Sequence, residues 1–317
     1  MKQPLIAVEN VVKRFGHTTV LHQLSFTLQA GEPVALIGPN GAGKTTLFSL
    51  LCGYLTPDAG QIRVLGQTPG ASALIGQLSA LPQDAQFDPA FSIQQQLQWY
   101  AQLQGMAGDA AKAEAQRVLQ LVDLLDHAAS YPAMLSHGMR KRASIAQALI
   151  GRPKLVLLDE PTAGLDPMHA RQIRQLIAKL SDQATFLISS HNIFELERLC
   201  RTMLYLEQGV ITWQQTGAVD AEQDLHAKPA AQPFSYLQLL VESNVPATLQ
   251  THLRQLAGVV QVEVSQKDEY LLQYDAQQAP DLDISLLQLL RQQGWHYRSL
   301  VRGQSLEQQL FQRRELA

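Results

Sequence analysis

Eight residues, Gly38–Thr45, combine three glycines with a lysine and a threonine in the order GPNGAGKT. The spacing is G-x-x-x-x-G-K-[ST], a loop whose backbone N–H groups surround a phosphate because the glycines remove side-chain bulk. Lys44 can then reach the β- and γ-phosphates, and the hydroxyl of Thr45 can bind Mg²⁺. The segment therefore predicts a loop that binds a nucleoside triphosphate.

A pair of carboxylates, Asp159 and Glu160, closes the apolar segment KLVLLDE. At the end of a buried strand, Asp159 is suited to orient Mg²⁺ through its water shell. Glu160, one residue further along, is suited to act as the general base for an attacking water. The alternative is an acidic pair that only ends a strand at the surface. A fully apolar strand does not usually end in this way without a site, so the pair predicts hydrolysis of the bound nucleotide.

The segment LSHGMRKR, Leu135–Arg142, opens a helical pattern whose first turns carry three cations. The N-terminus of a helix favours anions because its free N–H groups and its dipole point outward. No strand or lysine-bearing loop adjoins this segment to hold a phosphate. The segment therefore predicts a helix, begun by Ser136, that receives an anion delivered from elsewhere.

The elements that must position these groups alternate along the first two thirds of the chain. Apolar runs typical of buried strands lie at Pro33–Ile37, Lys154–Leu158 and Thr185–Ser189, and helical patterns separate them. Strands that alternate with helices favour an α/β domain with a largely parallel, mixed sheet. Between Phe91 and Met134 the pattern is helical and rich in Gln and Ala. That block predicts a helical subdomain over about 90–150 within an ATPase domain that spans 1–217.

After Gly217 the composition changes, which predicts a linker over 218–233. Residues 234–304 then follow the order strand, helix, strand, strand, helix, strand. This βαββαβ order is typical of a small ferredoxin-like α+β domain. An amphipathic helix is predicted over 305–317. The alternative for the whole region is a packing appendage without a site of its own.

Length and composition exclude several classes of protein. The chain has 317 residues, 46% of them hydrophobic, and a net charge of −3, which does not indicate a nucleic-acid partner. The two cysteines, Cys52 and Cys200, make neither a disulfide framework nor a metal-type spacing, which favours a reducing cytosol. The N-terminus lacks the pattern of a signal peptide, and no stretch approaches eighteen apolar residues. We therefore expect that any transport pathway is formed by other polypeptides.

Together these motifs resemble the ATP-binding subunits of ABC transporters, over about Leu5–Gly217. These and the motifs below stand in the order of that family, which makes the resemblance far more specific than any one of them. GPNGAGKTT is similar to its Walker A loop, LVLLDE to its Walker B strand and PTAGLDP to its D-loop region. The resemblance implies that ATP is bound by Phe15, Gly38, Asn40, Gly41, Ala42, Gly43, Lys44, Thr45 and Thr46.

Three further positions are implied by the same resemblance. Gln83 in LPQD lies at the position of the Q-loop and, with Thr45 and Asp159, would bind Mg²⁺. His191 in ISSH resembles the switch histidine, which makes Glu160, His191 and Gln83 the implied catalytic residues. Phe15 in KRFG lies where the family stacks an aromatic ring on adenine. The alternatives are a polar contact at a helix start for His191 and a core position for Phe15.

In this family two ATPase subunits pair head to tail, so that the signature helix of one covers the γ-phosphate held by the other. LSHGMRKR occupies the signature position, which implies that Ser136, Gly138 and the D-loop residue Asp166 contact ATP held by a second copy. The usual signature is LSGGQ, and here His137 and Met139 replace its first Gly and its Gln. A contact made by that glutamine side chain therefore cannot be carried over.

The resemblance implies an ATP-hydrolysing motor that forms a homodimer and drives separate integral-membrane subunits from the cytoplasmic face of the membrane. The segment LPQDAQFDPAFSIQQQLQWYAQLQG looks most like exporter ATPases, which favours export over import. The alternative is a soluble ABC-type ATPase that acts on nucleic acid or ribosomes. Such proteins typically carry tandem ATPase domains or a long coiled coil, and this chain shows neither pattern. The cargo is not written in the sequence, because it contacts the membrane subunit.

Overall fold

The computed structural model describes residues 4–191, 196, 199–215, 235–242, 248–266, 268–276 and 278–302. The chain divides into two compact units, Met1–Val219 and Asp220–Ala317. None of the helices in the described ranges is long and apolar enough to cross a lipid bilayer. The predicted linker, 218–233, and the predicted C-terminal helix, 305–317, lie outside the described residues.

The first unit alternates strands and helices. In chain order its elements are β1 (Ile6–Phe15), β2 (Thr18–Leu28), β3 (Val34–Ile37), α1 (Lys44–Cys52), β4 (Ala59–Val64), β5 (Leu78–Leu81), α2 (Ile93–Leu103), α3 (Gly108–Leu121), α4 (His137–Ala148), β6 (Leu155–Asp159), α5 (Pro167–Leu180), β7 (Thr185–Ser190), β8 (Thr202–Glu207) and β9 (Val210–Gln215). The predicted α/β class with a mixed sheet is confirmed. The three predicted strands were placed within one residue of β3, β6 and β7.

The larger sheet of this unit has the strand order β5-β6-β7-β3-β8-β9. Neighbouring strands run parallel except β9, which is antiparallel to β8. Strands β3, β6 and β7 are buried along their whole length, as their continuous apolar runs predict. Since these three strands are adjacent and parallel, their carboxyl ends meet at one edge of the sheet, where open α/β sheets bind ligands.

A second sheet of three antiparallel strands has the order β2-β1-β4. The hydrophobic pattern does not predict these strands. The register of β1 against β2 shifts after Val8, Val11 and Lys13, so apolar side chains do not alternate strictly along the strand. Even so, Ile6, Val8 and Val11 are buried in the core that also contains residues of β3 and α1.

Helices α2, α3 and α4 account for the predicted helical subdomain. Helix α2 begins with a capping box in which Ser92 Oγ accepts a hydrogen bond from the N–H of Gln95, and the Gln95 side chain accepts one from the N–H of Ser92. On α3, Arg117 donates two hydrogen bonds to Glu114 and one to the carbonyl oxygen of Leu149. Glu114 also accepts a hydrogen bond from the N–H of Gly151, so this pair ties α3 to the end of α4.

The second unit contains β10 (Ser235–Val241), α6 (Leu249–Arg254), β11 (Val259–Gln266), β12 (Glu269–Tyr274), α7 (Leu282–Gln293) and β13 (Tyr297–Arg302). Its antiparallel sheet has the order β11-β12-β10-β13. Side chains alternate along β10, where Leu237, Leu239 and Val241 are buried against Leu249 and Leu286 of the two helices. Each described element has the predicted type and lies in the predicted order.

Candidate nucleotide-binding site

The predicted phosphate loop joins the end of β3 to the start of α1. A Cβ at Gly38 would lie 2.1 Å from the carbonyl oxygen of Leu206, so only glycine fits where the loop leaves the sheet. Gly43 begins α1 with φ of 106°, a left-handed conformation that glycine adopts at no steric cost. It provides no side-chain cap, which leaves the first N–H groups of α1 available to an anion.

Lys44 lies beneath this loop and is 7% exposed. Its Nζ donates hydrogen bonds to the carbonyl oxygens of Gly38, at 2.7 Å, and Pro39, at 3.2 Å. The same Nζ lies 3.6 Å from Glu160 Oε1. A buried ammonium group needs such partners because burial disfavours its charge. The lysine is therefore held next to the place where the loop would hold a phosphate.

The two carboxylates meet the loop at the carboxyl edge of the sheet. Asp159 Oδ2 accepts a hydrogen bond from Thr45 Oγ1 at 2.9 Å. Glu160 Oε2 lies 2.9 Å from His191 Nδ1, and Glu160 itself has φ of 48°. Through Ser189, these contacts join Lys44, Thr45, Asp159, Glu160 and His191 into one connected set, as the order of the strands requires.

Ser189, at the end of β7, is part of this set although the sequence did not single it out. The residue is fully buried. Its Oγ donates a short hydrogen bond to Asp159 Oδ1 and accepts one from the N–H of Glu160 at 2.9 Å. Its position in the sequence, two residues before His191, was a signal that could have pointed to this role. Ser189 orients both carboxylates, since it bonds to one side chain and to the backbone of the other.

A pocket of about 380 Å³ gathers most of the predicted nucleotide-binding residues. Phe15 lines it and is 48% exposed, so this ring lies at the pocket mouth and the core alternative for it is wrong. Val20, which the sequence did not mark, lines it as well. The other described residues that line it are Asn40, Gly41, Ala42, Gly43, Lys44, Thr45, Thr46, Gln83, Asp159 and Glu160.

The signature residues lie elsewhere. Ser136 is the N-cap of α4, and its Oγ accepts a hydrogen bond from the N–H of Met139 at 3.2 Å. Gly138 is buried in the first turn of the same helix. Among the described residues that line the 380 Å³ pocket, neither of the two occurs. The chain therefore does not bring Ser136 to its own phosphate loop.

Asp166 is likewise outside that pocket. It is the N-cap of α5, where its Oδ1 accepts hydrogen bonds from the N–H groups of Met168, at 3.0 Å, and His169, at 3.1 Å. Its Oδ2 makes a short hydrogen bond with His169 Nδ1. The His169 side chain, more than any other group, lowers the pKa of the Asp166 carboxyl below its ordinary value.

A second, larger cavity of about 630 Å³ lies between the Gln83 segment and α4. Lys141 lines it and donates a hydrogen bond from Nζ to the carbonyl oxygen of Gln83 at 3.1 Å. Burial lowers the pKa of Lys141 below its ordinary value. The cavity is also lined by apolar side chains, among them Phe87, Pro89 and Pro132, so its lining combines apolar surface with the positive charge of Lys141.

Comparisons with known proteins agree with this geometry. The family model described as ABC transporter matches residues 21–163. The chain is 39% identical over 208 residues to the Nod factor export ATP-binding protein I of Burkholderia lata. This alignment covers 64% of this chain and 68% of that protein. The chain is also 30% identical over 263 residues to the linearmycin resistance ATP-binding protein LnrL of Bacillus subtilis, in an alignment that covers 82% of this chain and 82% of LnrL. Among solved structures, cbiO1 of Clostridium perfringens, part of the ABC transporter complex cbiONQ, has a TM-score of 0.63 at 26% identity, covering 68% of this chain and 89% of that one.

Proposed function

This chain belongs to the ATP-binding subunits of ABC transporters, a family of ATPases, and from that premise we propose that it is the motor of an exporter. Two copies close around ATP, and hydrolysis drives a separate membrane-spanning subunit. One observation supports this most directly. The phosphate loop, both carboxylates and His191 are joined by side-chain contacts, whereas the signature serine, Ser136, lies away from them. A second copy is then needed to complete each site.

ATP binding follows from the chemistry of the pocket. The exposed ring of Phe15 offers a surface on which adenine stacks. The N–H groups of the loop and of the start of α1 surround the phosphates, and Lys44 moves from its carbonyl partners to phosphate oxygens, which are stronger acceptors. The oxygens of Thr45, Asp159 and Gln83 are the hard ligands that Mg²⁺ prefers, and they lie in one pocket. When bound there, Mg²⁺ neutralises charge on the β- and γ-phosphates.

Hydrolysis is assigned to Glu160 and His191. Glu160 is held at the carboxyl edge of the sheet by Ser189, which fixes its backbone, and by Lys44 and His191, which contact its two carboxylate oxygens. Once Lys44 engages phosphate, Glu160 Oε1 is free to accept a proton from the attacking water. His191 keeps the other carboxylate oxygen, Oε2, in place through Nδ1, while the rest of its ring faces the terminal phosphate of ATP.

Pairing of two copies explains why the first turn of α4 does not lie at the phosphate loop of the same chain. A P-loop leaves one side of the triphosphate open, and a helix N-terminus is suited to cover an anion. In the homodimer, Ser136, Gly138 and Asp166 of one copy lie over the ATP bound by the other. Hydrolysis removes the bridging charge and loosens the pair, a shift in population that follows from the different ATP affinity of the open and closed states.

The membrane partner is proposed to dock on the helical subdomain, at the 630 Å³ cavity beside Gln83. Gln83 lines this cavity and the nucleotide pocket, so movement of its segment reaches both. The chain would then act as a peripheral subunit on the cytoplasmic face of the membrane. Export is favoured by two relatives, a Nod factor export ATP-binding protein and a linearmycin resistance ATP-binding protein.

The second unit is proposed to be a ferredoxin-like domain that belongs to this exporter type. Its element order and its antiparallel sheet, β11-β12-β10-β13, support that class. The alignment with LnrL spans 263 residues, which exceeds the 219 residues of the first unit and so extends into the second. A shared second unit fits a role in dimerisation or partner docking.

The proposal is tested by trapping the closed pair. Glu160→Gln removes the base but keeps the size and polarity of the side chain, so ATP with Mg²⁺ should convert the protein into a stable dimer that light scattering detects. Glu32→Gln is the matched control, because Glu32 is exposed and pairs with Arg201 away from the site. A Glu160→Gln protein that stays monomeric at saturating ATP would contradict the proposed mechanism.

A further inference from the structure

The starts of α4 and α5 approach each other closely at Gly138. A Cβ at this position would lie 2.6 Å from His169 Cδ2, closer than a Cβ approaches another heavy atom in folded proteins, and 3.2 Å from its Cγ, which is a tight contact. Gly138 lies within α4 and does not have a positive φ, so its backbone would accept any L-residue. A side chain at this signature position would therefore have to displace the imidazole of His169.

His169 is held in that place by Asp166. The short hydrogen bond joins Nδ1 to Asp166 Oδ2, and the backbone N–H of His169 donates to the other oxygen of the same carboxylate. Because a carboxylate is an acceptor, Nδ1 carries the proton. One turn further along both helices, Arg142 donates a hydrogen bond to the side chain of Gln172 at 3.0 Å. Two contacts thus hold α4 against α5.

We infer that His169 is a positioning residue for the ATPase reaction. Clamped by Asp166, its ring sets how closely α5 approaches Gly138, and therefore where Ser136 at the start of α4 is presented. The inference rests on the proposed function, in which Ser136 faces ATP bound by a second copy. His169 acts through its neighbours Gly138 and Asp166 and does not itself touch the nucleotide. His169 lies in the stretch PMHARQ, just after the D-loop region, and none of the motifs of the sequence analysis includes it.

The role predicts a specific kinetic pattern. His169→Ala removes the ring beside Gly138 and the donor to Asp166, so the start of α4 loses its support. A displacement of the order of 1 Å at a reacting site lowers turnover by up to about 100-fold, and we expect kcat to fall at least roughly 10-fold. The KM for ATP should change less than about two-fold, because the phosphate loop is untouched. His169→Asn keeps an N–H donor near the position of Nδ1 and should recover most of kcat.

A stability cycle tests the contact itself, without any dependence on the dimer. In the wild-type background, Gly138→Ala forces the ring away from Asp166 or the helices apart, and the thermal midpoint should fall by roughly 2–8 °C. In the His169→Ala background the clash is absent. There Gly138→Ala should leave the midpoint unchanged or raise it slightly, because alanine favours a helix over glycine. The same substitution is thus destabilising when His169 is present and neutral or slightly stabilising when it is absent.

The matched control is Gly108→Ala at the start of α3. A Cβ at Gly108 would have no atom within 4 Å, so this change should not depend on His169. An equal effect of Gly138→Ala in both backgrounds, or wild-type kcat in His169→Ala, overturns the inference. Normal turnover in Ser136→Ala instead overturns the proposed function. Even then, a Gly138→Ala effect on the thermal midpoint that depends on His169 would still show the contact between these two residues. The two failures are therefore distinguishable.

Discussion

Replacement of Ser136 by alanine separates the local role of this residue from its role in the pair. Locally, Ser136 Oγ caps α4 by accepting the N–H of Met139 at 3.2 Å. Loss of an N-cap of this kind costs about 1 kcal/mol of stability, which lowers the midpoint of a unit of this size by roughly 2–4 °C. In the pair, the hydroxyl would donate to the terminal phosphate, and removal of one such donor lowers turnover by roughly 10²–10³-fold.

The assay measures steady-state ATP turnover and, separately, binding of ATP to the monomer. Turnover of Ser136→Ala should fall severely, whereas ATP binding should stay at the wild-type level because the phosphate loop is intact. Ser92→Ala is the matched control, since Ser92 caps α2 in the same way and does not line the nucleotide pocket. It should lose a similar amount of stability and keep its turnover. Equal turnover losses in the two variants, or none in Ser136→Ala, would refute the reasoning.

Two further variants test the positioning of the site and the attachment of the helical subdomain. Ser189→Ala leaves the buried N–H of Glu160 without its partner and removes one of the two hydrogen bonds of the Asp159 carboxylate, the other coming from Thr45. Calorimetry should therefore show a loss of about 1–3 kcal/mol in the free energy of unfolding, and assays a lower ATP turnover; wild-type values for both would contradict the role of Ser189. The guanidinium of Arg117, above all, and the N–H of Gly151 hold the pKa of Glu114 below its ordinary value. Its charged form therefore stabilises the fold above the ordinary pKa, about 4.3, and that contribution disappears as the pH falls through the lowered pKa. Unfolding in urea should show Glu114→Gln less stable by about 1 kcal/mol at pH 7, with the difference shrinking below pH ~4; a difference that does not change with pH would contradict this pairing.

Much of the nucleotide pocket could be predicted because its chemistry is local in sequence. The spacing from Gly38 to Thr45 alone determines which N–H groups and side chains surround a phosphate. Asp159 and Glu160 end a fully buried strand, and parallel strands bring their carboxyl ends to one edge. Adjacent strands β6, β7 and β3 then bring the carboxylates, His191 and the loop together.

What the sequence did not reveal depends on pairings between distant segments. The strands of the sheet β2-β1-β4 were not predicted, because register shifts interrupt the alternation of apolar and polar residues that marks a strand. Ser189 lies inside an apolar run, and its role appears only when β6 and β7 are side by side. His169 and Gly138 are 31 positions apart, and only the packing of α4 on α5 shows that the ring of one lies against the backbone of the other.

The central claim, that each site is completed by a second copy, is tested most directly by mixing two inactive proteins. Lys44→Ala disables the phosphate loop, and Ser136→Ala disables the signature end. In a mixed pair, one composite site then carries both defects and the other carries none. If half of the pairs are mixed, about one quarter of wild-type turnover should return. If each chain completed its own site, every site would retain one defect, and a mixture without any recovered turnover would contradict the claim.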